Sequence, residues 1–140
     1  MFKNILVPTD LSEKSAKALE IAVGMAEKNG GKVTLLHVVE VIDDDENEEE
    51  FRAFYEKLAS RARVKMEDLA KKFILTNFYL DSEIILGKRV REIVKFASEH
   101  GIDLIVLNSH KLEGANSSED WATISYRVGI LSPCPVLMVK

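Results

Sequence analysis

Short apolar runs alternate with stretches of helical periodicity along the whole chain. Ile5-Leu6-Val7 is apolar and stops at Pro8, which predicts a buried strand. Thr9-Asp10-Leu11-Ser12-Glu13 then brings helix-start chemistry: Asp10 or Ser12 caps free backbone N–H groups, and Glu13 suits a first turn. Ala16, Leu19, Val23 and Ala26 recur at helical spacing, and Asn29-Gly30-Gly31 is a stop signal. A second strand is predicted over Val33–Val39, apolar except for Thr34 and His37. A long helix is expected from about residue 48 to about 73, with Phe51, Phe54, Leu58, Ala62, Met66, Leu69 and Phe73 along one face. Phe78–Leu86, closed by Gly87, predicts a third strand; Ile93, Val94 and Ala97 before Gly101 predict a third helix. Ile102–Leu107 predicts a fourth strand, residues 108–117 a polar loop, Trp121, Ile124, Val128 and Leu131 a fourth helix face, and Pro135–Val139 a last strand.

Strict strand–helix alternation implies an α/β fold: an open five-stranded parallel sheet, helices on both faces, right-handed crossovers. The strands lack clean alternation, as strands buried on both sides do. No repeat, linker or composition shift divides the chain, so residues 1–140 are expected to form one domain. Ligands of such sheets sit beyond the carboxyl ends of the strands, where the strand order reverses. That rule selects Pro8-Thr9-Asp10 and residues 108–117.

Composition narrows the picture. With 46% hydrophobic and 30% charged residues, the chain is neither disordered nor membrane-spanning, and the short N-terminal apolar run ended by Pro8 does not read as a signal peptide. A cytoplasmic protein is expected. Residues 43–50 hold seven acids in eight positions; removing those seven from the net charge of −4 leaves +3. They read as a solvated loop leading into a helix N-terminus and lack the spacing of a calcium loop. The single cysteine, Cys134, excludes an intrachain disulfide and reads as a small buried hydrophobe. His37, His100, His110 and Cys134 have no metal-ligand spacing, so no metal site is expected.

Taken in order, several segments resemble the universal stress protein family. Lys3-Asn4-Ile5-Leu6-Val7-Pro8-Thr9-Asp10-Leu11-Ser12-Glu13 is similar to its opening: a basic residue, an apolar strand, then Asp and Ser. Leu35-Leu36-His37-Val38 resembles its second strand, Gly101-Ile102-Asp103-Leu104-Ile105-Val106-Leu107 its fourth, and Ser132-Pro133-Cys134-Pro135-Val136-Leu137-Met138-Val139 its ending. The resemblance implies the adenine nucleotide alpha hydrolase-like fold with strand order 3-2-1-4-5. It also implies a homodimer in which the C-terminal strand pairs with its symmetry mate.

Family members that bind ATP carry G-x-x-G, about nine residues, then G-[S/T]. Glycines let the backbone approach phosphates, and N–H groups of the next helix hold the anion. Here the loop begins Asn108-Ser109-His110-Lys111, and the closing pair falls on Ala122-Thr123, before Ile124. Asn108, Lys111 and Ala122 replace all three glycines, the loop holds one extra residue, and Gly114 is out of register. Thr123 keeps the hydroxyl, Asn108 tolerates left-handed geometry, and Lys111 is the hardest to reconcile with a close backbone approach. By resemblance, Asp10 bonds ribose or adenine and Val38 gives the backbone contact to adenine. The degenerate candidate site is thus Pro8, Thr9, Asp10, Val38, Asn108, Ser109, His110, Lys111, Ala122, Thr123 and Ile124. ATP or AMP is the ligand that the resemblance implies for it.

Other features weigh less. Lys88, Arg89 and Arg91 oppose the dipole of the third helix, which reads as a solvated end or as an anion site. Trp121 has core or interface spacing, and His37 reads as a strand-end histidine satisfied by backbone rather than a general base. His110, in the loop, is more open to a ligand role. An acidic chain without a stacking platform argues against nucleic acid. Three functions compete: a dimeric signalling module with weak or no ATP binding that acts through protein partners, an ATP- or AMP-binding protein with slow hydrolysis, and an enzyme on small metabolites. The eroded glycines favour the first, with no catalytic residues, and the resemblance is to the A-type branch.

Overall fold

A computed structural model describes residues 1–41, 48–73, 79–109 and 121–140. The elements are β1 (Asn4–Pro8), α1 (Ser15–Asn29), β2 (Lys32–Glu40), α2 (Glu48–Ala70) with a 3-10 turn (Lys71–Phe73), β3 (Leu80–Gly87), α3 (Arg89–Glu99), β4 (Leu104–Asn108), α4 (Trp121–Leu131) and β5 (Val136–Val139). All pairings are parallel and the sheet order is β3-β2-β1-β4-β5. The fold class and strand order are those expected.

Two apolar layers cover the sheet. Ile5, Val7, Val33, Leu35, Leu104 and Val106 face α1 and α2, where Leu19, Ala22 and Met66 close over them. Leu6, Leu36, Val38, Ile105 and Leu107 face α3 and α4, against Ile93, Phe96, Ile124 and Val128. Central strands buried on both sides explain why their sequences lack a two-residue alternation.

Local chemistry fixes the ends. The α1 stop works through Gly30, left-handed at φ 65°, whose N–H bonds the Ala26 carbonyl. A Cβ on Gly31 would lie 2.6 Å from the Lys3 carbonyl oxygen, so only glycine lets β2 begin against β1 there. Asp103 latches the start of β1: its two carboxylate oxygens accept the Lys3 and Asn4 N–H groups at 2.9 and 3.1 Å. That use of Asp103 delays β4, which begins at Leu104 rather than Ile102. β3 begins at Leu80, while Phe78 lies outside the described residues.

Two local expectations need correction. Phe54 was expected on the inner face of α2, yet it is 57% exposed and Tyr55 is buried instead. Tyr55, Ala62 and Met66 form one stripe by steps of seven and four, which leaves Phe54 a hundred degrees off it. Neither Asp10 nor Ser12 caps α1; the capping position is Lys14, without a side-chain hydrogen bond, because Asp10 closes a turn of its own.

Candidate functional site

β1 lies between β2 and β4, so the strand order reverses at the ends of β1 and β4. The chain leaves β1 through a tight turn. The Thr9 N–H bonds the Leu36 carbonyl at 2.9 Å, and the buried Thr9 hydroxyl donates to Ser15 Oγ at 2.8 Å and accepts the Leu11 N–H at 3.0 Å. Asp10 Oδ1 accepts both the N–H and the hydroxyl of Ser12, at 2.9 and 2.6 Å. Leu11 carries the strain of this turn at φ 68°, a left-handed conformation for a bulky residue. Pro8, Thr9 and Asp10 therefore stand together over the carboxyl ends of β1 and β2.

Val38 belongs to the same crevice by strand geometry. Leu36 points its backbone at β1, where Thr9 takes its carbonyl, and the last β1–β2 pair is Pro8–Leu36. Two residues on, Val38 directs its N–H and C=O the same way, past the end of β1. It offers a donor and an acceptor side by side, the pattern that matches the edge of a purine.

His37 sits behind this turn, its Nδ1 2.9 Å from the Thr9 carbonyl oxygen, so Nδ1 carries the proton and donates. Burial holds its pKa below the usual 6.5; the bond to Thr9 works against that, Arg89 adds to it, Asp10 opposes it and Lys65 adds to it. The unfolded state then binds more protons than the folded one, so the contribution of neutral His37 is complete above 6.5 and is lost as pH falls toward the folded value. His37→Gln should flatten the acid side of a stability–pH profile measured by urea unfolding. An unchanged acid slope would remove His37 from that role.

Asn108 ends β4 on the α1 face, and only 4% of it is exposed. Its Nδ2 donates to the Lys14 carbonyl just before α1, while Oδ1 has no partner among the described residues. Ser109 bonds sideways instead: its N–H reaches the Val139 carbonyl at 2.9 Å and its hydroxyl the same atom at 3.5 Å. At the other side of the loop, α4 starts at Trp121, so the N–H groups of Ala122, Thr123 and Ile124 lie in its first turn. Ala122 is half-buried, Thr123 exposed and Ile124 buried. Trp121 is packed in the core beside α3 and β2, with its Nε1 unpartnered among the described residues. His110 and Lys111 lie outside the described residues, as do most of the acidic positions of 43–50.

Two of the three basic residues at the start of α3 are structural. Arg89 Nε pairs with Glu40 Oε2 at 3.2 Å and the Lys88 ammonium donates to the Val41 carbonyl at 2.8 Å, which ties α3 to the end of β2. An anion site is not needed to explain these two charges. Sequence reasoning missed Lys14 and Ser15, because a backbone carbonyl and a helix-end hydroxyl carry no motif. Among the described residues no cluster of His, Cys, Asp and Glu could hold a metal, and no helix is long and apolar enough to cross a membrane.

Over residues 1–140 the chain matches the Universal stress protein family. The chain belongs to that family. Among curated relatives, universal stress protein MJ0577 of Methanocaldococcus jannaschii is 32% identical, with 100% of this chain and 96% of the relative covered. The solved structure of MJ0577 superposes with a TM-score of 0.85 over the same shares. Universal stress protein UspA from Lactobacillus plantarum is 25% identical, with a TM-score of 0.85, covering 99% of this chain and 98% of that one. Two more distant structures share the fold: a universal stress protein in complex with cAMP, 20% identical with a TM-score of 0.68, and one from Archaeoglobus fulgidus in complex with dAMP, 17% identical with a TM-score of 0.62. The first covers 99% of this chain and 97% of its own, the second 100% of both.

Proposed function

We propose that this universal stress protein is a dimeric, cytoplasmic signalling module that acts by binding rather than catalysis, with weak or absent ATP affinity. One observation carries the reading. The buried Asn108 amide, tied to the Lys14 carbonyl, stands where ATP-binding members of the family have the first glycine of the phosphate loop. A side chain fills the position where backbone would approach phosphate, and its Oδ1 is an acceptor that meets no donor among the described residues. A phosphate oxygen brings no proton to that acceptor. The adenosine half is different. Thr9 and Asp10 are held by the turn, and the Val38 backbone keeps its donor and acceptor beyond β1. The cAMP and dAMP complexes of two proteins with this fold fit an adenine mononucleotide better than a triphosphate.

Calorimetry of the unaltered protein with ATP, AMP and adenosine tests this. AMP and adenosine should bind no worse than ATP. An ATP dissociation constant in the low micromolar range, about −8 kcal/mol, would overturn the reading.

The dimer is proposed through β5. This strand ends the sheet, Leu137 is 39% exposed on it, and α4 beside it exposes Tyr126, Ile130 and Leu131. An apolar edge next to an apolar helix face invites a second copy. Leu137→Asp should shift the protein to monomer in light scattering at micromolar concentration, since a carboxylate would lose its water at the centre of the interface. A monomeric parent protein under the same conditions would refute the dimer.

A further inference from the structure

The opposite edge of the sheet has a different chemistry. β3 is the outer strand on that side, and among the described residues nothing pairs with it beyond β2. The Val33 N–H takes the Tyr79 carbonyl and the Val41 N–H takes the Gly87 carbonyl, so odd-numbered residues of β3 turn their backbone toward β2. Leu80, Ser82, Ile84 and Leu86 therefore direct their N–H and C=O groups outward, with no proline or bulge to interrupt the row.

A cleft lies against each face of this edge. On the α3 face, Glu83 of β3 joins Glu92 and Glu99 with one opposing ammonium, Lys95, so negative charge is in excess by two. Its aromatic wall is His100 stacked on Phe96 at a centroid distance of 3.8 Å. On the α2 face, Ser82, Glu83 and Ile84 line the other cleft over the buried Met66, and Arg63 and Glu67, four apart on the helix, face each other with opposite charges.

We propose that the β3 edge is a docking site for an extended segment of another protein, added as a further strand, with basic residues alternating with apolar ones. Side chains of an added strand alternate between the two faces. Basic side chains then enter the cleft of Glu83, Glu92 and Glu99, and apolar ones meet the half-buried Ile84. Arginine suits the first cleft best, since its planar fork pairs with carboxylates and stacks on a ring. A second copy of this chain is the wrong occupant: two-fold pairing of β3 with itself puts the same carboxylates against each other on one face, and like charges oppose pairing. Acidic side chains on an outer strand also serve simply to block association, and the test separates the two roles. The inference is independent of the nucleotide reading.

The probe is an eight-residue peptide of alternating arginine and valine, matched to the eight residues of β3, added to the full chain under hydrogen exchange with per-residue readout. Protection should appear at the amides of Ser82, Ile84 and Leu86, while those of Asp81, Glu83 and Ile85, already bonded to β2, should change little. Glu83→Lys with Glu99→Lys, both at exposed positions, should weaken binding by about tenfold or more, and an alternating glutamate–valine peptide should not bind. Binding without that every-second-residue protection, or protection elsewhere, would overturn the proposal as mere charge attraction. Protection of the same amides in concentrated protein without peptide would overturn it in favour of a second copy. No binding would leave the edge as a blocked strand and end the proposal.

Discussion

Leu6→Ala should cost about 2–5 kcal/mol of folding stability. Leu6 lies on β1, the middle strand, with no exposed surface, and pairs with Thr34 and Ile105 on either side. Its side chain packs into the layer of Leu36, Ile105 and the α3–α4 helices. Alanine removes the transfer free energy of the lost carbons and leaves a cavity that flanking strands cannot close, because both are fixed by their own hydrogen bonds. Against a total stability of about 5–15 kcal/mol, that loss is a large share. Urea unfolding should show a lower midpoint with an unchanged slope. Val64→Ala, on the 59% exposed position of α2, should stay within about 0.5 kcal/mol and serves as the control. A loss below about 1 kcal/mol for Leu6→Ala would mean that the sheet relaxes around the gap.

The same burial explains what the sequence made legible. Apolar runs at Ile5–Val7, Val33–Val39 and Leu104–Leu107 read as strands because both faces of the sheet are covered, and strict alternation with helices allowed only a parallel order. Errors came where two side chains of similar character compete for one position. Phe54 and Tyr55 are both aromatic and adjacent, and the phase of α2, set by Ala62 and Met66 further along, decides between them. Asp10 and Ser12 have capping chemistry, but they spend it on each other. Lys88 and Arg89 looked unfavourable at a helix start; their partners, Val41 and Glu40, stand nearly fifty residues back, and no local rule reaches that far. The candidate site shows the same division. Pro8, Thr9 and Asp10 were legible from topology, since the reversal point follows from strand order. The direction of the Asn108 side chain was not, because it depends on whether position 108 falls on the α1 or the α4 face of β4. That phase is fixed by Leu104 and Val106 facing α1.

Asn108→Gly together with Ala122→Gly should raise ATP affinity by about tenfold or more, a gain of about 1.4 kcal/mol or above. The argument is steric and electrostatic. At position 108 a buried amide holds the end of β4 to the Lys14 carbonyl and presents an Oδ1 that has no donor among the described residues. Glycine removes that acceptor and frees the backbone to approach a phosphate oxygen with its N–H. At position 122 a methyl group sits in the first turn of α4, where the helix dipole favours an anion. Glycine clears it. Stability should fall by about 1 kcal/mol from losing the Asn108 bond, so binding is compared well below the melting transition. Adenosine supplies the internal control: the proposed contacts to it, Asp10 and the Val38 backbone, are touched by neither change, so its affinity should hold constant. Adding Lys111→Gly and deleting one residue between 112 and 120 restores the spacing of the family's ATP-binding members, and should raise ATP affinity again. If instead Lys111 contacts phosphate directly, Lys111→Ala in the unaltered protein would lower ATP binding. Equal gains for ATP and adenosine in the glycine variants would sink the idea that Asn108 excludes phosphate, because a mere loosening of the loop admits both ligands alike.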